Sequence, residues 1–211
     1  MKIFKTAAVA AVAALAMTSC DGTPDVAGSW NIPATSLSQT GTQDAPGGVL
    51  VNSLVTTTVT FTPDKDNNRQ GTITLNSMVN IDDTWSLAND TDILQTYEVS
   101  VAGTASISGT YQFVNDEDDE MTASFDFANM SVNVDPEAVK FRTNVLDGQQ
   151  SPELDTLKDG KLAEYTRDLN GKLKAYYTQF QKIDDIKVTD GMMSCEIGDR
   201  DFTFRRQDQA K

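Results

Sequence analysis

Histidine is absent from this 211-residue chain and cysteine occurs only twice. Basic residues are outnumbered, 17 Lys plus Arg against 31 Asp plus Glu, a formal charge of −14. Without imidazole there is no Ser-His-Asp or Cys-His nucleophile, no His-ligated zinc and no side chain whose ordinary pKa lies near neutrality. Most hydrolase mechanisms go with it. Without clustered Lys and Arg there is no counterion-release footprint, so nucleic acid is not an expected partner. What remains is carboxylate chemistry, oxygen-ligated cations and non-enzymatic binding. The length suits one globular domain.

Long apolar runs are also missing, with one exception. Lys2 and Lys5 precede an uninterrupted stretch of small and apolar residues from Ala7 to Met17, and Thr18 and Ser19 lead to Cys20. The run is too short for a bilayer core of about 30 Å, which takes about 20 apolar residues, and its flanks match a secretory signal over residues 1–19. The segment Leu15-Ala16-Met17-Thr18-Ser19-Cys20 resembles a bacterial lipobox. That resemblance implies that Cys20 becomes the first mature residue and carries a diacylglyceryl thioether and an N-acyl (palmitate-type) chain. Acyl chains contribute about 0.8 kcal/mol per buried CH₂, so several of them anchor a protein that one would hold only marginally. The expected location is the bacterial envelope, at the outer membrane, facing the periplasm or the cell surface. Cleavage removes two Lys and no acid, which moves the formal charge from −14 to −16. Such a body gains nothing from an anionic leaflet, and the tether alone must hold it. Residues 20–27, with Gly22, Pro24 and two Asp, read as an acylated flexible stalk.

From Val49 to about Thr143 apolar and polar residues alternate, the period of half-buried strands. Val55, Val59 and Phe61 share one parity while Thr56, Thr58 and Thr60 take the other. Ile73, Leu75, Val79 and Ile81 repeat the pattern, then Tyr97 to Ile107, Tyr111 and Phe113, and Met121 to Phe127. Turns are expected at Pro63–Asn68, Asp82-Asp83-Thr84, Ser108-Gly109 and Asn115–Glu120. Val132 and Val134 are expected to pair with Val139 and Phe141 across a bend at Pro136. Asp185–Ile197 and Asp201–Arg206 read as a closing hairpin, and residues 33–48 as a loop or lid. One segment has another period: Leu162, Tyr165, Leu169, Leu173, Tyr176, Phe180 and Ile183 recur at steps of three and four. Ser151 and Pro152 suit a helix start, which places a helix within 151–183. Gly171 inside it should cost about 1 kcal/mol relative to Ala. The expected fold class is mainly β: an antiparallel up-and-down barrel of about eight strands over residues 28–206, with one helix before the last hairpin and a tail at 207–211. Closure removes sheet edges that would otherwise recruit other chains.

Gly28-Ser29-Trp30 is similar to the G-x-W that opens lipocalin-like domains. Thr58–Asp64, Gly109–Phe113 and Phe202–Arg206 resemble strands of bacterial lipocalin-like lipoproteins. The resemblance implies a barrel that holds a small apolar ligand, with Trp30 plugging the closed end and Arg206 laid over it. The alternative is an envelope interaction protein with a filled core that contacts another protein or a glycan through its loops or helix. An eight-stranded barrel is either filled or just wide enough for one small guest, so composition alone leaves both open. Nothing in the sequence sets an oligomeric state.

No catalytic constellation stands out, and neither an enzyme activity nor a cofactor is expected. Asp64, Asp66 and Asn68 alternate as in a calcium loop, but Arg69 and Leu75 hold the places where an EF-hand needs Gly and Glu. The acidic run Asp116–Glu120 reads as a charged turn. Asp126, between Phe125 and Phe127, has no second carboxylate for glycosidase chemistry. Trp85 is the one aromatic placed as if for a sugar. Cys195, left without a disulfide partner if Cys20 is acylated, shares the parity of Met193 and Ile197 and reads as a buried thiol.

Overall fold

The alternation between Ser53 and Phe125 becomes alternating burial almost without a break, because each strand dries one face against a common interior. The computed structural model describes residues 22–37, 52–88, 94–114, 117–135, 140–143 and 154–207. Among the described residues there are ten strands: β1 (Gly28–Ser36), β2 (Asn52–Asp64), β3 (Asn67–Ala88), β4 (Leu94–Phe113), β5 (Met121–Phe125), β6 (Ser131–Val134), β7 (Lys140–Thr143), β8 (Lys182–Thr189), β9 (Met192–Glu196) and β10 (Asp201–Arg206). The helix α1 (Leu154–Thr178) lies between β7 and β8. Eight of the strands close a ring in the order β1-β2-β3-β4-β5-β8-β9-β10, every pairing antiparallel, with β10 returning to β1. The fold is therefore a closed eight-stranded barrel into which β6, β7 and α1 are inserted between the fifth and sixth ring members.

Several local expectations give way. Asp82-Asp83-Thr84 and Ser108-Gly109 are not turns; β3 and β4 run through them as one hairpin paired from Gln70↔Gln112 to Ala88↔Leu94. Asp82 accepts a hydrogen bond from Ser100 Oγ across that ladder at 2.7 Å. Gly109 allows a close approach instead of a reversal, since a Cβ there would stand 2.1 Å from the Ser124 carbonyl oxygen of β5. β6 and β7 do not pair with each other. Each takes a separate stretch of the β4 edge, Ser131–Val134 on Gly103–Ser106 and Lys140–Thr143 on Tyr97–Ser100. Residues 185–197 are two strands, because Asp190 and Gly191 both adopt positive φ (49° and 75°) in a two-residue hairpin turn. The helix ends at Thr178, and Ile183 is a β8 residue opposite Met121. Residues 33–36 belong to β1. The rest of the expected lid, 38–48, lies outside the described residues, as do Ser151 and Pro152.

Two glycines test this geometry with opposite signs. Gly109→Ala is expected to destabilise by at least about 1–3 kcal/mol, because the β5 backbone must retreat. Gly171→Ala, where a Cβ would meet nothing within 4 Å, should stabilise by about 1 kcal/mol. Urea midpoints of the two variants, compared with the parent, check both.

Candidate functional site

At one end the barrel is closed by its N-terminal segment. Trp30 is fully buried, faces Arg206 directly in the β1–β10 register, and lies 4.6 Å from the Arg206 guanidinium carbon above its ring. Its indole donates to the Val26 carbonyl at 2.7 Å, and Arg206 Nη2 donates to the Asp25 carbonyl at 3.1 Å. The sequence-expected pair is thus brought together, with the guanidinium over the electron-rich ring face. Cys20 lies outside the described residues. Residues 22–27 are packed rather than free, with Thr23 and Val26 buried.

Arg69 holds this strap, a role that the sequence reading missed. Its Nη1 donates to Thr23 Oγ1 at 2.8 Å and to the Asp118 carboxylate; its Nη2 donates to the carbonyls of Val114 (2.7 Å) and Glu117 (3.2 Å). The guanidinium also sits 5.8 Å from the Phe113 ring centre. One side chain therefore joins the strap, the start of β3 and the turn after β4. The described part of the acidic run, 117–120, has structural partners: Asp118 pairs with Arg69, and Glu120 lies 3.6 Å from Lys182.

The other end is occupied by α1. Leu169, Leu173, Tyr176, Tyr177 and, just beyond the helix, Phe180 are buried. Tyr165 donates to the Asp83 carboxylate at 2.7 Å. Deeper in, Tyr176 donates to Thr57 Oγ1 (3.2 Å) and Tyr177 to Ser77 Oγ (2.8 Å), while Thr57 and Ser77 share a 2.7 Å hydrogen bond across β2 and β3. This quartet of buried hydroxyls satisfies itself in an apolar interior, where an unpartnered one would cost about 1–3 kcal/mol. The signal was present in the sequence, for Thr57 and Ser77 sit on the dry parity of their strands. Trp30, Val55, Val59, Ile73, Leu75, Tyr97 and Phe204 are likewise fully buried.

Burial pushes the phenols of Tyr111, Tyr176 and Tyr177 up to about 12 from 10. Each folded-state pKa is raised and the neutral phenol is favoured in the barrel, so stability is full below pH 10 and falls as pH rises towards 12. The slope is about 1.4 kcal/mol per pH unit for each such tyrosine. Alkaline unfolding followed by circular dichroism should begin near pH 10, and Tyr176→Phe should make it less steep.

The outer surface holds the third feature. Outward positions read Thr56, Thr58, Thr60, Thr62 on β2; Thr72, Thr74, Asn76, Met78, Asn80 on β3; Ser100 to Gln112 at even numbers on β4; and Thr122, Ser124 on β5. None of these carries a charge. Cross-strand polar pairs knit them: Ser29–Thr60 (2.9 Å), Thr58–Asn31 (3.0 Å), Ser106–Asn76 (2.8 Å) and Thr74–Ser108 (3.2 Å). Met78 is 64% exposed and Leu54 52%. At the edge of this face a cleft of about 410 Å³ is lined by Asp64, Gln70, Thr72, Thr110, Gln112, Thr122 and Ser124 among others.

Remaining candidates find structural places. Asp126 caps the 3-10 turn at Phe127–Asn129, and hydrogen bonds from Asn129 and Ala128 hold its carboxyl below the usual range. Cys195 is buried on β9 and desolvation pushes its thiol up to about 12. Trp85 belongs to β3. Among the described residues no three His, Cys, Asp or Glu side chains are placed to hold a metal ion, and no helix is long and apolar enough to cross a membrane. Comparison of the chain with protein-family models, with curated proteins and with solved structures finds no match.

Proposed function

We propose that the protein is a lipid-anchored, non-catalytic component of a bacterial envelope. It is held by acyl chains on Cys20, and its barrel serves as a rigid scaffold whose outer face recognises another protein or a glycan. The observation that carries this reading is the uncharged central stretch of the outer face, from Thr56 to Thr62 on β2, Thr72 to Asn80 on β3, Ser100 to Gln112 on β4 and Thr122 to Ser124 on β5, with Asp64, Asp82 and Glu98 standing only at its margins. A chain with a formal charge of −14 and 23% charged residues would ordinarily spread charge over a solvated sheet for solubility. Depletion of charge, with an exposed Met at the centre, is the composition of a contact surface. Hydroxyls and amides across it suit a neutral partner, and the cleft at its edge adds Gln and Thr side chains beside the single carboxylate of Asp64.

The test places a photo-crosslinking side chain at Met78 in cells that make the full chain. One discrete adduct is expected, and Thr56→Lys with Thr104→Lys, two exposed positions directly opposite Met78 on the neighbouring strands, should abolish it while leaving the melting temperature unchanged. Absence of an adduct, or one indifferent to the added charges, would sink the proposal. A second reading, a carrier of a small apolar ligand inside the barrel, draws support from Tyr111, whose buried hydroxyl has no hydrogen-bond partner, and from the Thr57–Ser77 pair that withdrawal of α1 would uncover. Native mass spectrometry of protein purified from its own envelope separates the two: a retained apolar guest favours the carrier, a bare polypeptide the scaffold.

A further inference from the structure

We infer that the barrel is presented to its surroundings end-on, with the Trp30–Arg206 end against the lipid surface and the α1 end pointing away. The inference rests on the acylation of Cys20 proposed above. Between Cys20 and the described chain stands only Asp21, and two residue steps span at most about 7 Å. From Gly22 onwards the chain is not a stalk. It is fixed to the closed end by the Arg69 bonds to Thr23 and Asp118, by the Trp30 indole on Val26, and by Arg206 on Asp25. A lipid on Cys20 therefore pulls on the rim of the barrel rather than on a loose leash.

Chain direction identifies which parts share that rim. β1 starts there and β10 ends there, as their Trp30↔Arg206 pairing requires. The β2–β3 turn at Lys65 and Asp66, Val114 and residues 117–120, and the Asp190-Gly191 turn lie at the same end, since Arg69 binds Val114 and Glu117, and Arg206 N donates to the Gly191 carbonyl at 2.8 Å. At the opposite end are Asp83 and the middle of α1, which Tyr165 links. A 13-residue strand such as β2 at about 3.3 Å per residue and a tilt of about 40° separates the two ends by roughly 30 Å. The rim that meets the lipid carries Asp25, Asp64, Asp66, Glu117, Asp118, Asp119 and Asp190 against Lys65, Arg69, Arg205 and Arg206. Its acidic excess fits zwitterionic headgroups and disfavours anionic ones.

The experiment uses the acylated full chain in phosphatidylcholine vesicles that carry a short-range fluorescence quencher on their headgroups. A fluorophore is attached to Asn68→Cys at the strapped end or to Gly160→Cys near the start of α1. Cys195 is buried and its thiol barely ionises, so labelling goes to the introduced site. Quenching should be several-fold stronger at Asn68→Cys than at Gly160→Cys. A ten-residue Gly/Ser insertion between Asp21 and Gly22, which leaves the barrel intact, should erase the contrast. Equal quenching at both sites, stronger quenching at Gly160→Cys, or a contrast that survives the insertion would overturn the inference. Failure of the acylated preparation to float with vesicles would instead remove the anchor reading, and the orientation with it.

Discussion

Trp30→Ala should lower the stability of the folded chain by about 3–5 kcal/mol, the range for truncating a fully buried large aromatic. For a domain of this size that corresponds to a fall of roughly 10 °C in Tm. Three losses combine: the apolar volume, the 2.7 Å hydrogen bond from the indole to Val26, and the stacked Arg206 guanidinium. Arg206→Ala alone should cost far less, because a partly exposed cation over an aromatic ring contributes about 0.5–2 kcal/mol. Thermal melts of the two single variants and the double variant separate these contributions. If Arg206 acts chiefly through Trp30, the double variant is little worse than Trp30→Ala. Additive losses would mean that Arg206 works through its Asp25 contact instead.

Cys20→Ala should move the protein from the membrane to the soluble fraction almost completely. Each acyl CH₂ withdrawn from water contributes about 0.8 kcal/mol, so removing the chains removes essentially all of the binding free energy. No electrostatic reserve replaces it. The whole chain has a formal charge of −14, and the proposed removal of residues 1–19 would take it to −16; an anionic leaflet repels such a body. Fractionation of cells making the parent and the variant gives the answer. A variant that still sediments with membranes, and is released neither by salt nor by carbonate, would show that the acyl chains are not what holds the protein.

The barrel was legible because side-chain parity survives nearly intact from Ser53 to Phe125, and inward and outward sets differ in polarity at almost every step. Turn positions were less legible. Asp82-Asp83 and Ser108-Gly109 carry turn-forming residues, yet cross-strand partners absorb them: Ser100 takes Asp82, Tyr165 takes Asp83, and Gly109 makes room for the backbone of β5. In the reverse case, Asp190-Gly191 was passed over although an Asp-Gly pair between apolar runs is a strong hairpin signal. The two ends of the barrel were half legible. Trp30 and Arg206 could be named only through the resemblance to lipocalin-like domains, and Arg69 not at all, because its partners Thr23, Val114 and Asp118 lie 45 to 49 residues away. Thr57 and Ser77 broke the apolar pattern in plain view, but only the arrival of Tyr176 and Tyr177 explains why hydroxyls are tolerated there.

The order in which the ring is assembled carries its own consequence. β1 lies between β2 and β10, so one of its two neighbours is supplied by the last strand of the polypeptide. Until residues 201–206 have been made and delivered, the first strand keeps a bare flank and the indole beneath it stays wet. A chain threaded through a translocation pore from its amino end cannot finish folding ahead of time, however long the transit takes. If the chain is exported as proposed, the ring closes only when its final segment has arrived on the far side.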